Sequence, residues 1–313
     1  MKIIPVILGP TASGKSTVAL EVAAQLGADI ISVDSMKVYR GMDIGTDKPS
    51  PEVTARVCHH LIDIRNPDEA YSTFEFFHDC CRILEECLKA ERTVILEGGT
   101  ALYYRALLKG LFAGPEADWE LRQQLEQEAA SSGDPDYLYQ KLAGLDPARA
   151  EKLHRNDHRR LIRAIEVFQL SGQPMSELEA TTTRPAPFEF HLIGLDRSRE
   201  QLYQRVNQRV DEMVADGLFE EVEALQENFE MSREARQGLG YKEVLAALNG
   251  DVSRDETIDR IKQSTRHFAK HQLTWFRTWD ITWLQADEAN TEELTGQALR
   301  IIGGSGFGDR GIE

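Results

Sequence analysis

The chain has 313 residues, 41% of them hydrophobic and 28% charged, which suits one large α/β domain carrying an insertion, or two domains. Its formal charge of −16 argues, as a total, against a nucleic-acid partner. No apolar run approaches the roughly 18 residues of a membrane-spanning helix, and no basic leader precedes the first strand candidate, so a cytoplasmic address without a membrane partner is expected.

In chain order, the apolar run Ile3–Leu8 reads as a strand and ends at Gly9. The next eight residues, GPTASGKS from Gly9 to Ser16, fit G-x-x-x-x-G-K-[ST] at every fixed position. A helical pattern follows over 16–26, with Val18, Ala19, Val22, Ala23 and Leu26 on one face. Backbone N–H groups from Gly9 through Ala12 to Lys15 can ring a diphosphate, and the helix N-terminus adds positive potential. Lys15 can reach the terminal phosphate, and the Ser16 hydroxyl suits Mg²⁺. A plain turn would need neither the lysine nor the hydroxyl.

A second strand candidate, 29–33, ends at Asp34 and Ser35. In a parallel sheet Asp34 reaches the same carboxyl edge as the phosphate loop. A carboxylate there reads as a metal ligand, as a general base facing the bound diphosphate compound, or as a helix cap or turn residue. The four cysteines, Cys58, Cys80, Cys81 and Cys87, form no C-x-x-C pair, and two are adjacent within a helical stretch over 73–90. Reduced, mostly buried thiols are expected rather than a zinc site or disulfides. A third strand, 93–97, runs into Glu97-Gly98-Gly99-Thr100. Glu97 stands where a nucleotide hydrolase places a metal-binding acid, although Asp is usual there. The two glycines would let backbone approach a ligand, with Thr100 as a polar tip. An ordinary strand-to-helix turn accounts for the same residues.

Between Gly114 and Pro187 the strand pattern stops. Helical patterns cover 119–130, 136–143, 147–153 and 158–170, so residues 115–187 read as an all-helical insertion within a core made of 1–114 and 188–313. From Lys152 to Arg163 there are five Lys or Arg and one acid. Strand candidates resume at 190–195 and 281–284, separated by helices over 198–228, broken near Gly217, and 255–279. This alternation predicts an α/β fold, a mostly parallel sheet with helices on both faces. Arg205 and Arg209 share a helical face and could clamp diphosphate oxygens, or form a solvated face paired with acids. From Asp211 to Glu230 there are eight acids and no Lys or Arg. In the helix after Asp255, Ile258, Ile261, Phe268 and Phe276 form a stripe expected to pack on the core. Lys262, Arg266, Lys270 and Arg277 form a second stripe, near Trp275, Trp279 and Trp283, which reads as an RNA-like footprint or as a plain solvated face. No internal repeat or low-complexity tract occurs, and the Gly-rich end from Gly303 is expected to fray.

These segments together resemble one family. GPTASGKS, DSMKVYRGMDIGTDKPS (34–50), HHLIDI (59–64), GGTALYYRALLKGL (98–111), NDHRRLIRAIEV (156–167), GLGYKE (238–243) and STRHFAKHQLTWFR (264–277) are similar, in order, to tRNA dimethylallyltransferases, also called tRNA isopentenyltransferases. The resemblance implies a P-loop kinase-like core and a helical insertion holding the anticodon stem-loop. It implies transfer of a dimethylallyl group from dimethylallyl diphosphate to the exocyclic amine of the adenosine 3′ of the anticodon, with release of pyrophosphate. The adenine is then flipped into a channel through the protein. It gives Asp34 the role of proton acceptor and Thr100 that of holding the adenine. Thr11, Ser13, Gly14, Lys15 and Ser16 become the diphosphate cradle, with Arg209 a further contact and Mg²⁺ the cofactor at Ser16. Asp34, Ser35, Met36, Lys37, Thr100, Arg122, Arg159, Arg160, Arg163, Gln237, Gly240, Tyr241 and Lys242 fall in RNA-contacting segments. A monomer is expected. The chain departs from the family pattern at Lys37, where Gln is common, at Gly238-Leu239, and at His271. Three other readings are an adenine-nucleotide prenyltransferase, a P-loop kinase of small metabolites, and a non-catalytic RNA-binding protein with a relic nucleotide loop.

Overall fold

The computed structural model describes residues 3–250 and 252–304, and the chain divides into two compact units, Met1–Arg105 with Pro187–Glu313, and Ala106–Ala186. The first unit is built on a sheet of six strands: β1 (Ile3–Leu8), β2 (Ala28–Val33), β3 (His59–His60), β4 (Thr93–Gly98), β5 (Glu189–Asp196) and β6 (Thr282–Gln285). All neighbours pair in parallel, in the order β3-β2-β4-β1-β5-β6. The chain fills the β4-β2-β3 side of β1 first and the β5-β6 side later. The loop after β1 therefore opens at the crevice where the winding changes direction.

The helices of this unit are α1 (Lys15–Leu26), α2 (Pro51–Arg56), α3 (Thr73–Lys89) and α4 (Ala101–Lys109), the last running into the other unit, and, after the second unit, α10 (Arg199–Ala215), α11 (Leu218–Asn228), α12 (Arg233–Arg236), α13 (Tyr241–Leu248), α14 (Arg254–Phe276) and α15 (Thr291–Gly304). Ser72 and Glu75 close a reciprocal capping box at α3. Gly217, at φ 104, separates α10 from α11, the break expected there. Val18 and Val22 of α1 pack with Ile7, Ile30, Ile95 and Ile193 of the sheet and with Leu294 and Ile302 of α15. Gly303 and Gly304 end α15 rather than fray, and the remainder of the expected loose tail lies outside the described residues.

The second unit consists of α5 (Trp119–Ser132), α6 (Tyr137–Leu145), α7 (Pro147–Ala150), α8 (His158–Ser171) and α9 (Met175–Thr182) around Leu125, Leu142, Leu161 and Ile165. Its two ends are fastened side by side, by the Leu111–Arg184 antiparallel bridge and by the Ala186 N–H donating to the Leu107 carbonyl at 2.9 Å. Glu166 is fully buried here and accepts from Arg122 Nε and Nη2 at 2.8 Å, from Arg163, and from the Asp118 N–H at 2.7 Å.

Candidate active site

The phosphate loop is folded tightly enough to need its glycines. A Cβ on Gly9 would lie 2.7 Å from Ser13 Oγ, and Gly14, at φ 95, forms the N-cap of α1. Ala12 also takes a left-handed conformation, at φ 63. Three arginines after β5 hold the loop from outside. Arg197 Nε donates to the Ser13 carbonyl and Arg205 Nε to the Ala12 carbonyl, both at 2.8 Å, and Arg209 Nη1 donates to Thr11 Oγ1 at 3.2 Å. Turning carbonyls toward guanidinium groups leaves the orphan N–H groups at the start of α1 for an anion. The Ser13 hydroxyl is buried without a hydrogen-bond partner among the described residues. A 310 Å³ cavity lies over the loop, bounded by Gly14, Lys15, Ser16, Thr17, Arg205 and Arg209. Both arginines of the pair reach the loop, Arg205 from an exposed position, while Arg209 also pairs with Asp47 at 3.2 Å, so features of both readings of the pair are present.

Lys15 Nζ lies 3.4 Å from the Pro10 carbonyl. Burial pushes its pKa below the ordinary value; Lys37 and Arg209 add to that, and Glu97 and Asp34 oppose it. Ser16 Oγ donates to Glu97 Oε1 at 2.9 Å, and Glu97 is buried at the end of β4. A hydroxyl and a carboxylate in contact beside the loop are hard oxygen donors of the type Mg²⁺ takes.

Asp34 faces the same space from the end of β2. Its Oδ1 accepts from the Met36 N–H at 2.8 Å and from the Lys37 N–H at 3.3 Å, while Oδ2 has no hydrogen bond among the described residues. The turn reading is therefore satisfied by one oxygen only. The Ser35 N–H donates to Thr100 Oγ1 at 3.2 Å, which joins the ends of β2 and β4. Lys37 is 7% exposed, and its ammonium has no hydrogen bond or ion pair among the described residues. Thr11, Lys15, Ser16, Asp34, Glu97 and Thr100 line one 190 Å³ cavity whose other wall is apolar: Val206, Val210, Met213, Leu218, Ile261 and Phe268.

The glycines after Glu97 are tightly packed, and Gly99 also lines the cavity. A Cβ on Gly98 would sit 2.2 Å from the Val33 carbonyl oxygen, and one on Gly99 2.4 Å from Gln272 Nε2. Gln272 escaped the sequence reading. Buried on α14, it accepts from the Thr11 N–H at 2.8 Å and donates to the Gly99 carbonyl at 2.7 Å, so one side chain fixes the phosphate loop against the β4 turn. Phe268 is corrected: it is 40% exposed and lines the cavity instead of packing on the core. Ile261, Thr265, Phe268 and Gln272 share one face of α14, and that face borders the cavity.

Around α13, Gln237 is exposed and Lys242 pairs with Glu243 at 3.6 Å. Gly240, at φ 88, donates its N–H to Glu243 Oε2. Tyr241 is fully buried; its hydroxyl donates to Glu221 Oε1 at 2.6 Å, and burial raises its pKa well above the ordinary value. Glu221 also accepts from the N–H groups of Asp43, Ile44 and Gly45, which fastens that turn to α11. On α14, Lys262 pairs with Asp211 at 2.6 Å and Arg266 donates to Asn207 Oδ1 at 2.6 Å, so two of the four basic residues bind α10.

Arg122, Arg159, Arg160 and Arg163 belong to the second unit. Arg122 and Arg163 hold Glu166, Arg160 pairs with Asp157 at 3.3 Å, and Arg159 is exposed with no partner among the described residues.

A parallel sheet with a phosphate loop at its switch point and an acid across the same cavity defines a P-loop α/β enzyme. The IPP transferase family model matches residues 37–279, and the chain belongs to that family. It is 44% identical to a tRNA dimethylallyltransferase of Acetivibrio thermocellus over 292 residues, which is 92% of this chain and 93% of the relative. It is 42% identical to one of Geobacter sulfurreducens, with 95% and 96% covered. Among solved structures, a tRNA isopentenylpyrophosphate transferase of Bacillus halodurans superposes with TM-score 0.72 at 37% identity, covering 97% of this chain and 96% of that one. A eukaryotic dimethylallyltransferase described as acting on tRNA gives TM-score 0.81 at 28% identity, covering 100% of this chain and 81% of that one.

Proposed function

We propose that the chain transfers the dimethylallyl group of dimethylallyl diphosphate to the exocyclic amine of the adenosine 3′ of the anticodon in tRNA. The chain is an enzyme of the tRNA dimethylallyltransferase type, and the observation that carries the detailed reading is the shared cavity of Lys15 and Asp34. The cavity has a polar end at the phosphate loop and an apolar wall, which suits a diphosphate bearing a short hydrocarbon.

The orphan N–H groups of α1, Lys15 and Arg209 bind the diphosphate, and the apolar wall holds the five-carbon group. The adenine amine forms a C–N bond as the C–O bond to the diphosphate breaks, and pyrophosphate leaves with the electron pair. An exocyclic adenine amine is a weak nucleophile because its lone pair is delocalised. Asp34 Oδ2, the oxygen left free by the turn, accepts the amine proton, an effect of roughly 10²–10⁴-fold for a positioned base. Thr100, with its oxygen held by the Ser35 N–H, is placed to donate its hydroxyl to the base. Lys15 and Arg209 oppose the charge gathered on the departing pyrophosphate, each donor contributing about 3 kcal/mol. Mg²⁺, which Ser16 and Glu97 would hold, supplies further neutralisation of the diphosphate.

Arg159, Arg160 and the backbone around Gln237, Gly240 and Lys242 are the RNA contacts in this reading. With the Tyr241 ring buried and its hydroxyl committed, contact at that segment falls to its neighbours. The protein acts as a monomer in the cytoplasm, where its tRNA substrate resides.

The test is to incubate the purified protein and Mg²⁺ with labelled dimethylallyl diphosphate and, separately, unmodified tRNA, AMP or ATP. Label should enter tRNA at the adenosine next to the anticodon. Label in AMP alone would assign a nucleotide prenyltransferase, and phosphate transfer from ATP without prenyl transfer would assign a kinase.

A further inference from the structure

At the opposite edge of the sheet from the phosphate loop, three metal-ligating side chains from separate elements meet, and a fourth, Cys58, lies beside one of them. Asp29 lies at the start of β2, five residues before Asp34 and so about 16 Å from it along an extended strand. Cys58 immediately precedes β3, His60 ends it, and Cys87 lies on α3. His60 Nε2 is 2.9 Å from Asp29 Oδ2 and 3.8 Å from Cys58 Sγ, and Cys87 Sγ is 3.9 Å from Asp29 Oδ2. The ligand atoms of Asp29, His60 and Cys87 all lie within 4.8 Å of one another. A tetrahedral ion with bonds of 2.0–2.3 Å needs ligand atoms about 3.3–3.8 Å apart, so these three groups are within a small adjustment of that spacing, and Cys58 Sγ, beside His60 Nε2 but outside that cluster, has to turn inward to complete it.

We propose that Asp29, Cys58, His60 and Cys87 form a structural site for a thiophilic divalent cation of the Zn²⁺ class. Two sulfurs, an imidazole nitrogen and a carboxylate oxygen are a borderline-soft set that selects Zn²⁺ over Mg²⁺. Four protein ligands close the coordination sphere, which marks a structural site rather than a catalytic one. On binding, both thiols lose their protons and the His60 proton moves from Nε2 to Nδ1, so the ion takes the place of the hydrogen now shared with Asp29. The ion with its four ligands carries a net charge of −1, which the Arg92 guanidinium, already on Asp29 Oδ2, balances. Cys58 is exposed and offers the ion its way in, the Asp29 and His60 side chains are partly buried, and Cys87 forms the buried floor. The bound ion would pin the two-residue edge strand β3 to β2 and α3.

The test uses the reduced full chain with excess Mg²⁺ present and Co²⁺ as the spectroscopic stand-in for Zn²⁺. One equivalent of Co²⁺ should produce a thiolate-to-metal charge-transfer band, Zn²⁺ should displace it, and about two protons should be released per ion. Cys58→Ser, at an exposed position that does not burden the fold, should abolish or sharply weaken the band and reduce Zn²⁺ affinity at least about 10²-fold. Cys81→Ser should change neither. The melting temperature should rise with Zn²⁺ in the wild type and not in Cys58→Ser. Absence of the band in the wild type, or a band undiminished in Cys58→Ser, overturns the site, and prenyl transfer plays no part in either readout.

Discussion

Of the two oxygens of Asp34, the fold uses Oδ1 for the turn and leaves Oδ2 without a hydrogen bond among the described residues, and this division makes a clean substitution available for the proposed base. In Asp34→Asn the amide oxygen still accepts from the Met36 and Lys37 N–H groups, so both substrates should bind nearly as before. Turnover should fall by at least about 10²-fold, as for loss of a general base. Single-turnover transfer at close to the normal rate would remove Asp34 from the mechanism. Lys15 allows a pH argument. Burial lowers its folded pKa below the ordinary 10.5, so between the lowered value and 10.5 the unfolded chain holds the extra proton, and stability of the free protein rises with pH across that window. A bound diphosphate favours the charged ammonium. Its affinity should therefore tighten as pH falls through the window, with proton uptake at Lys15. Calorimetry of dimethylallyl diphosphate binding in buffers of different ionisation heat should show an uptake in the wild type that Lys15→Ala lacks. The same variant should weaken the diphosphate more than tRNA. Collapse of tRNA affinity with diphosphate affinity intact would mean the loop had been misread.

Among elements, α8 carries a network whose loss should be costly. Burial pushes the Glu166 carboxyl up, but the hydrogen bonds of Arg122 and Arg163 outweigh it and leave its pKa below the ordinary value. Its contribution to stability is therefore present above the unfolded carboxylate pKa and is lost as pH falls through the folded value. Glu166→Ala strands two partly buried guanidinium groups and should cost about 3–5 kcal/mol, read as a shift in the denaturant midpoint; a loss below about 1 kcal/mol would show that the network is not structural. The same helix shows what could be read beforehand. Its apolar spacing and its end at Gly172 were legible, whereas the Arg122–Glu166 pair joins residues 44 apart and has no local signal. Strands β1, β4 and β5 are short apolar runs bounded by turn residues, so periodicity found them. By contrast, His59 and His60 become a strand only because β2 offers its edge, and nothing in that dipeptide favours a strand. On α14 the helical spacing was read correctly and its meaning in part: Ile261 and Phe276 are buried as expected, whereas Phe268 is exposed to the cavity. Ile261 to Gln272 form one stripe that faces partly into a cavity, and a cavity leaves no mark on periodicity. Gln272 is one polar residue among several on that helix until the fold brings Thr11 and Gly99 to it. The candidate site was legible where chemistry constrains residue type, at Gly9 to Ser16 and at Asp34, and illegible where distant side chains hold that chemistry in place.

For the whole molecule, the open contradiction is a charge of −16 on a chain that takes tRNA as substrate. Electrostatic attraction depends on the Lys and Arg at the RNA surface, because distant acids are screened beyond about 8 Å at physiological salt. Binding should therefore weaken steeply with salt despite the acidic total. The structure narrows the residues responsible. Arg163 is committed to Glu166, and Lys262 and Arg266 bind Asp211 and Asn207, so their loss should lower stability more than it lowers the salt slope. Arg159, Arg160 and Lys270 are exposed, and only Arg160 has an acidic partner among the described residues. Each of these three, changed to Ala, should weaken different tRNAs alike and reduce the slope of log affinity against log salt by roughly one unit or less. The choice of control follows from the same geometry. Glu221 is unsuitable, because it holds the turn at 43–45 and the Tyr241 hydroxyl, and Glu220 pairs with Arg254 at 3.5 Å. Glu223 is exposed and has no partner among the described residues, so Glu223→Ala should leave the slope unchanged. Affinity measured against salt for these variants separates the outcomes. If Arg159, Arg160 and Lys270 can be neutralised together with the wild-type slope retained, the RNA is held by other residues, and neither the helical unit nor α14 supplies its phosphate contacts.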